Sequence, residues 1–78
     1  MKEEVFDVIE EITGADDFRL NEDLDLFEEG LLDSMRAIIL IVELENKFNI
    51  SLPPSEMDRL DWNTAAKIAM RIEEKINA

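Results

Sequence analysis

One serine and a surplus of carboxylates are what this chain offers to chemistry. Ser34 stands in Gly30-Leu31-Leu32-Asp33-Ser34-Met35, between a polar, turn-rich stretch and a strongly apolar one. The chain has no histidine and no cysteine, so Ser34 has neither an imidazole to activate it nor a thiol beside it. A serine nucleophile needs a base within hydrogen-bond reach and a third group that orients the base. Lys47, Lys67 and Lys75 fall on other parts of the chain's expected helices. Carboxylates are numerous, yet so small a chain has no evident deep pocket in which to use a pair of them. Ser34 therefore reads as a hydroxyl that another enzyme modifies, not as one that attacks a substrate.

Metal chemistry fails a count. Asp23-Leu24-Asp25 beside Glu28-Glu29-Gly30 faintly has the look of a calcium loop, which needs alternating oxygen ligands, glycine at its sixth position and glutamate at its twelfth. Counted from Asp23, the fifth residue is Phe27, the sixth Glu28 and the twelfth Ser34. No designed metal site is expected, only weak surface binding of divalent cations to the acidic clusters.

The elements that must position Ser34 are helical. At 78 residues the chain is expected to be a single domain spanning 1–78, able to bury roughly 60% of its unfolded surface. Hydrophobic residues make up 46% of it, too many for disorder despite 36% charged residues. Val5, Ile9 and Ile12, flanked by Phe6 and Val8, recur at helical spacing from Lys2 to about Thr13, and Gly14 takes the place of a C-cap. From Gly14 to Asp33 no helical period lasts. Phe18, Leu20, Leu24, Leu26 and Phe27 are interleaved there with turn-prone Asp and Asn, which predicts a long loop pinned to the core, with a short turn near Leu24 to Glu28.

The second helix is expected from Asp33 or Ser34 to about Phe48, with Asp33 as N-cap. Met35, Ile38, Ile39 and Val42 fall on one side of it; Ala37, Ile41, Leu44 and Phe48 fall on the other. Periodicity alone would also allow a buried strand over Ile38 to Val42, but the longer segment favours a helix. Apolar residues nearly surround its first half, so it should be central and still leave side chains for a partner. Pro53-Pro54 breaks the chain, Ser55 caps a short turn to Leu60, and a last helix starts at Asn63 or Thr64. Ala65, Ile68, Ile72 and Ile76 make its stripe, with Ala69 beside it; Trp62 plugs the junction before it. The sum is an all-α bundle of three main helices plus one short helix, with a long loop between the first two.

Charge and composition bound the setting. Twenty acidic against eight basic residues give a net charge of −12, a surface that repels nucleic acid and anionic lipid and attracts basic proteins. The same acids would also serve simply to keep a small domain soluble. Without cysteine there is no disulfide and no thiolate metal site, which fits a reducing, cytoplasmic location. Met1-Lys2-Glu3-Glu4 lacks the apolar run of a signal peptide, and the apolar run from Ala37 to Val42 is far too short to cross a bilayer. No membrane insertion is expected, and the chain is read as a monomer.

A phosphate on Ser34 would face the free amides and the positive end of the second helix's dipole, so this helix start favours a phosphodiester there. A plain capping hydroxyl is the simpler use of such a serine. The surroundings, however, are those of a known site: Gly-x-x-Asp-Ser-Met opening an apolar helix resembles the attachment site of acyl and peptidyl carrier proteins, and the match covers essentially the whole chain. The resemblance implies an acyl-carrier-like bundle with 4'-phosphopantetheine on Ser34, Asp33 flanking it as N-cap, and no catalysis by the carrier itself. Asp25 to Met35, then Glu43-Leu44, Phe48 and the Met57 to Thr64 segment around Trp62, is similar to the D-alanyl carrier proteins of Gram-positive bacteria. That likeness implies D-alanine held as a thioester, loaded by an ATP-dependent D-alanine ligase after a phosphopantetheinyl transferase has attached the arm. Membrane acyltransferase machinery would then use it to esterify lipoteichoic or teichoic acid in cell-wall biogenesis. Carriers of fatty-acid, polyketide or nonribosomal-peptide synthesis, and an acidic helical adaptor without a prosthetic group, are the other readings. Fatty-acid carriers are usually acidic where Arg36 and Ile39 stand, which implies a more apolar partner surface here, centred on Met35, Ile39 and Glu43. The arm is expected to swing in solvent, since a short amino acid has little apolar surface to hide.

Overall fold

The computed structural model describes residues 2–53 and 58–77. Its elements are α1 (Lys2–Thr13), a 3₁₀ turn (Asp17–Arg19), α2 (Ser34–Phe48), α3 (Arg59–Trp62) and α4 (Ala65–Ile76), with no strand among the described residues. This is the expected all-α architecture of three main helices and one short one. α1 packs on both α2 and α4.

α1 buries Val5, Phe6, Val8 and Ile9, and ends where the Gly14 amide bonds to the Glu10 carbonyl at 2.8 Å with Gly14 at φ +71°. That left-handed φ is one glycine adopts without steric cost. α2 ends on Asn49, also left-handed at φ 54°, and α4 begins on the Thr64 side chain, which accepts from the Lys67 amide.

The long loop is pinned as expected, though not by every apolar residue. Phe18 and Leu26 are fully buried; Phe18 meets Phe6 edge to face at 5.3 Å. Leu20, by contrast, is 94% exposed. The turn expected near Leu24 to Glu28 forms one step later: Asp25 Oδ1 accepts from the Phe27 and Glu28 amides, both at 3.0 Å, and Glu29 N–H bonds to the Asp25 carbonyl. Asp25 Oδ2 reaches across to Asn63 Nδ2 at 2.9 Å, and the Leu26 amide bonds to the Asn63 carbonyl at 2.7 Å. The loop is thereby tied to the start of α4.

The 3₁₀ turn was not expected. It presents Arg19 to three carboxylates on one stripe of α1: Glu10 at 2.9 Å, Asp7 at 2.8 Å and Glu3 at 3.3 Å. The hydrogen bonds that Arg19 donates to Asp7 first, then to Glu10, raise its pKa above the ordinary value. Arg19 also lies 5.6 Å from the centre of the Phe18 ring.

Two expectations need correction. The short helix runs over Arg59–Trp62, not from Ser55 to Leu60: Asp58 is extended (φ −76°, ψ 132°) and caps it by accepting from the Leu60 amide, so no helix passes through it. The Ser55 cap itself lies outside the described residues. In α4, Ala65, Ile68, Ala69 and Ile72 are buried, but Ile76, the last residue of the helix and of the expected stripe, is 38% exposed. Trp62 fills the α3–α4 junction as a buried plug.

Candidate functional site

The site is built on the N-terminus of α2. Gly30 closes the preceding turn at φ +75°, and the amides of Leu31 and Leu32 both bond to the Leu26 carbonyl. Leu32 is buried and anchors the chain just before the helix. Asp33 is extended (φ −134°, ψ −175°), and its Oδ1 accepts from the Arg36 amide at 2.8 Å, the geometry of an N-cap. Helical bonding then begins with Ala37 N–H on the Asp33 carbonyl at 2.9 Å.

Ser34 follows as the first helical residue, and it is exposed. The amides of Ser34 and Met35 precede Ala37, the first helical donor, so they have no acceptor within the helix. A phosphodiester on Ser34 Oγ fits this arrangement: its oxygens would meet amide donors and the positive helix end, while the Asp33 carboxylate is engaged as a cap. The chain has no histidine to take the hydroxyl proton, and the adjacent Asp33 carboxylate is held by a backbone amide.

The three residues expected to meet a partner share one exposed face. Met35, Ile39 and Glu43 follow one another at i, i+4 and i+8; Met35 is 73% and Ile39 44% exposed, and Glu43 is exposed. Ile38 and Val42 widen the apolar area. The opposite side of α2 enters the core through Leu40 and Leu44, with Ile41 and Phe48 packed against it. The residues the sequence pattern divides fall as expected, and Leu40, which it placed on neither side, is buried with Leu44.

A groove beside Ser34 was not anticipated. A cavity of about 700 Å³, open to solvent, runs from Ser34 along Ala37, Ile38, Ile41 and Val42 to Leu52 and Pro53. Glu45 holds its far wall by accepting from the Leu52 amide at 2.8 Å. Its one legible trace in the sequence is that α2 carries more apolar residues than one buried stripe needs. Where its other wall lies depends on how the chain returns after Asn49, which no local pattern specifies. Among the described residues no three acidic side chains gather as a metal site would require, and no helix is long and apolar enough to cross a membrane.

Comparison with known proteins bears on the same region. A family profile described as "Phosphopantetheine attachment site" matches residues 3–72. The chain is 72% identical over 75 residues to the D-alanyl carrier protein of Lactococcus lactis subsp. cremoris (strain MG1363), covering 96% of this chain and 95% of that one. It is 50% identical over 78 residues to the D-alanyl carrier protein of Streptococcus sanguinis (strain SK36), covering all of this chain and 98% of the other. To the D-alanyl carrier protein of Lacticaseibacillus rhamnosus it is 45% identical over 74 residues, with 95% and 91% covered.

Proposed function

Because the chain belongs to the phosphopantetheine attachment-site family, among the D-alanyl carrier proteins, we propose that Ser34 Oγ bears the arm and that the loaded cargo is D-alanine. The family's prosthetic group is a covalently attached 4'-phosphopantetheine, and its members are carriers, not catalysts. The arm supplies a thiol, which this cysteine-free chain lacks, and D-alanine is held on that thiol as a thioester.

The chain's own part is placement. Asp33 fixes the first turn of α2, so Ser34 leaves a rigid helix end and not a mobile loop. The hydroxyl is open to a phosphopantetheinyl transferase, whose active site must supply the base that takes its proton. The free amides of the first turn then receive the phosphodiester charge. The exposed face of Met35, Ile39 and Glu43 docks the enzymes that use the arm, first a D-alanine ligase and then the membrane acyltransferase machinery that D-alanylates lipoteichoic acid in the cell wall. A cytoplasmic location follows from the ligase's need for ATP. The observation that carries this reading is the exposed serine hydroxyl at the capped start of α2, in a chain 72% identical to a D-alanyl carrier protein.

The test is intact mass after incubation with coenzyme A and a broad-specificity phosphopantetheinyl transferase, followed by loading with D-alanine, L-alanine or a fatty acid and the matching ligase. One phosphopantetheine should be gained by the natural chain and none by Ser34→Ala, and D-alanine should load. Equal gain by Ser34→Ala would move the site elsewhere, and no gain by either would remove the carrier reading.

A further inference from the structure

Among the described residues, the cation nearest in sequence to Ser34 has no acid paired with it, in a chain rich in acids. Twenty Asp and Glu face eight Lys and Arg. Several other cations are engaged: Lys2 pairs with Glu22, Arg19 with three carboxylates, Arg71 with Asp61 and Glu74, while Lys67 holds the Leu60 carbonyl and Asn63 Oδ1; Lys47, at the other end of α2 and away from Ser34, has no such pair among the described residues. Arg36 has no carboxylate within ion-pair distance among the described residues. Its guanidinium Nη1 lies 3.5 Å from the Leu31 carbonyl, long for a hydrogen bond. The helix cannot supply an acid either. Three and four residues on stand Ile39 and Leu40, four back stands Leu32, and three back the Asp33 carboxylate is engaged at the Arg36 backbone amide.

Nor does Arg36 serve the attached phosphate. Two residues apart on a helix, the Ser34 and Arg36 side chains diverge by about 160° around the axis. Ser34 opens on the groove, with Ala37, Ile38 and Ile41. Arg36 lies on the far flank of the exposed ridge formed by Met35 and Ile39, leaning back toward Leu31. A protein that covers Met35 and Ile39 therefore also covers the rim where Arg36 stands. Taking an unpaired guanidinium out of water is costly unless the covering surface offers an anionic partner.

We propose that Arg36 is a specificity residue for the enzyme that loads the arm, pairing with a carboxylate at the rim of an apolar depression that receives Met35 and Ile39. This rests on the carrier reading above and adds to it the sign of the loading enzyme's contact. That enzyme meets a strongly acidic chain with an acidic group at this one point. A surface that is uniformly basic, the obvious complement to a net charge of −12, would be repelled here.

The experiment is steady-state loading of the phosphopantetheinylated chain by a D-alanine ligase, comparing the natural sequence with Arg36→Glu, Arg36→Lys and Lys47→Glu. Lys47 is on the same helix about 16 Å away at 1.5 Å per residue, and Lys47→Glu changes net charge by the same amount as Arg36→Glu. Arg36 is exposed, so melting temperature should report unchanged folding for its variants. Arg36→Glu should raise KM for the carrier by about 10-fold or more with kcat nearly kept, as loss of a charged contact does. Arg36→Lys, which keeps the charge and loses the fork, should fall between the two. An unchanged KM for Arg36→Glu overturns the proposal, and so does an equal rise for Lys47→Glu, which would make the effect one of overall charge. If the natural chain takes up phosphopantetheine but no D-alanine, the cargo reading fails and this inference falls with it. If it loads normally and only the Arg36 variants fail to differ, the inference alone is lost.

Discussion

Leu40 and Leu44 on one side of α2 and Met35, Ile39 and Val42 on the other are apolar side chains of one fifteen-residue helix, yet the first two are buried and the other three face solvent. Hydrophobicity alone does not separate them. What does is the arrangement of the rest of the chain: α1 and the pinned loop close over the Leu44 side, and no described element crosses the Met35 side. A single sequence thus assigns one face to stability and leaves the other open, the face on which the proposed docking rests. Ser34 sits where the two meet, held by the first and presented beside the second.

The largest expected effect breaks this symmetry directly. Leu44→Ala should cost about 2–5 kcal/mol of unfolding free energy, since it opens a cavity in a fully buried position. Urea denaturation checks it. A loss below about 1 kcal/mol would mean that the buried face contributes no more than the open one. Asp33→Ala comes next, with a loss of about 1 kcal/mol, because the Arg36 amide loses its acceptor at the end of α2. Asp33→Ser, which can still cap, should recover most of that loss. The same pair separates cap from charge in transferase assays: if fixing Ser34 is what matters, Asp33→Ser should be modified faster than Asp33→Ala.

Charge supplies a smaller effect that acts on both faces at once. The net charge of −12 opposes compaction. Salt weakens the paired clusters, such as Arg19 with Glu3, Asp7 and Glu10, but it weakens the larger sum of unpaired repulsions more. The melting temperature should therefore rise between low and moderate salt, by less than the roughly 4–8 °C that 1 kcal/mol represents for a domain of this size. A fall would show that the Arg19 cluster outweighs the repulsion.

How much of this was readable beforehand follows from the range of each interaction. The bounds of α1 and α2, the Asp33 and Thr64 caps and the division of α2 into two faces depend on residues within a few positions of each other, and a periodic pattern carries them. The Arg19 clamp joins residues nine to sixteen apart, and the Asp25–Asn63 bond joins residues 38 apart. Neither leaves a local trace. The short helix was misplaced because Ser55 and Asp58 are both cap-type residues, and a local pattern does not say that Asp58 is the one that is extended and caps Leu60. Ser34 was legible because a serine opening a capped apolar helix is a local pattern; the groove beside it was not, since its second wall is Leu52 and Pro53.

The smallest expected change in stability is the most informative about the open face. Ile39→Ala removes most of a side chain that is 44% exposed and lies outside the hydrophobic core, so the unfolding free energy should move by no more than about 0.5 kcal/mol. The same substitution should nonetheless raise KM for loading by a ligase, because the area it deletes is area the ligase would cover. Leu44→Ala should show the reverse pattern, a large loss of stability with little change in KM at a temperature where it remains folded. The two faces of α2 are distinct in role only if these effects cross. Should Ile39→Ala lower stability by more than about 1 kcal/mol, Ile39 belongs to the fold and the docking ridge shrinks to Met35 and Val42. Should it leave both quantities unchanged, the enzyme approaches Ser34 from another side, and the groove between Ile38, Ile41 and Leu52 becomes the surface to substitute next.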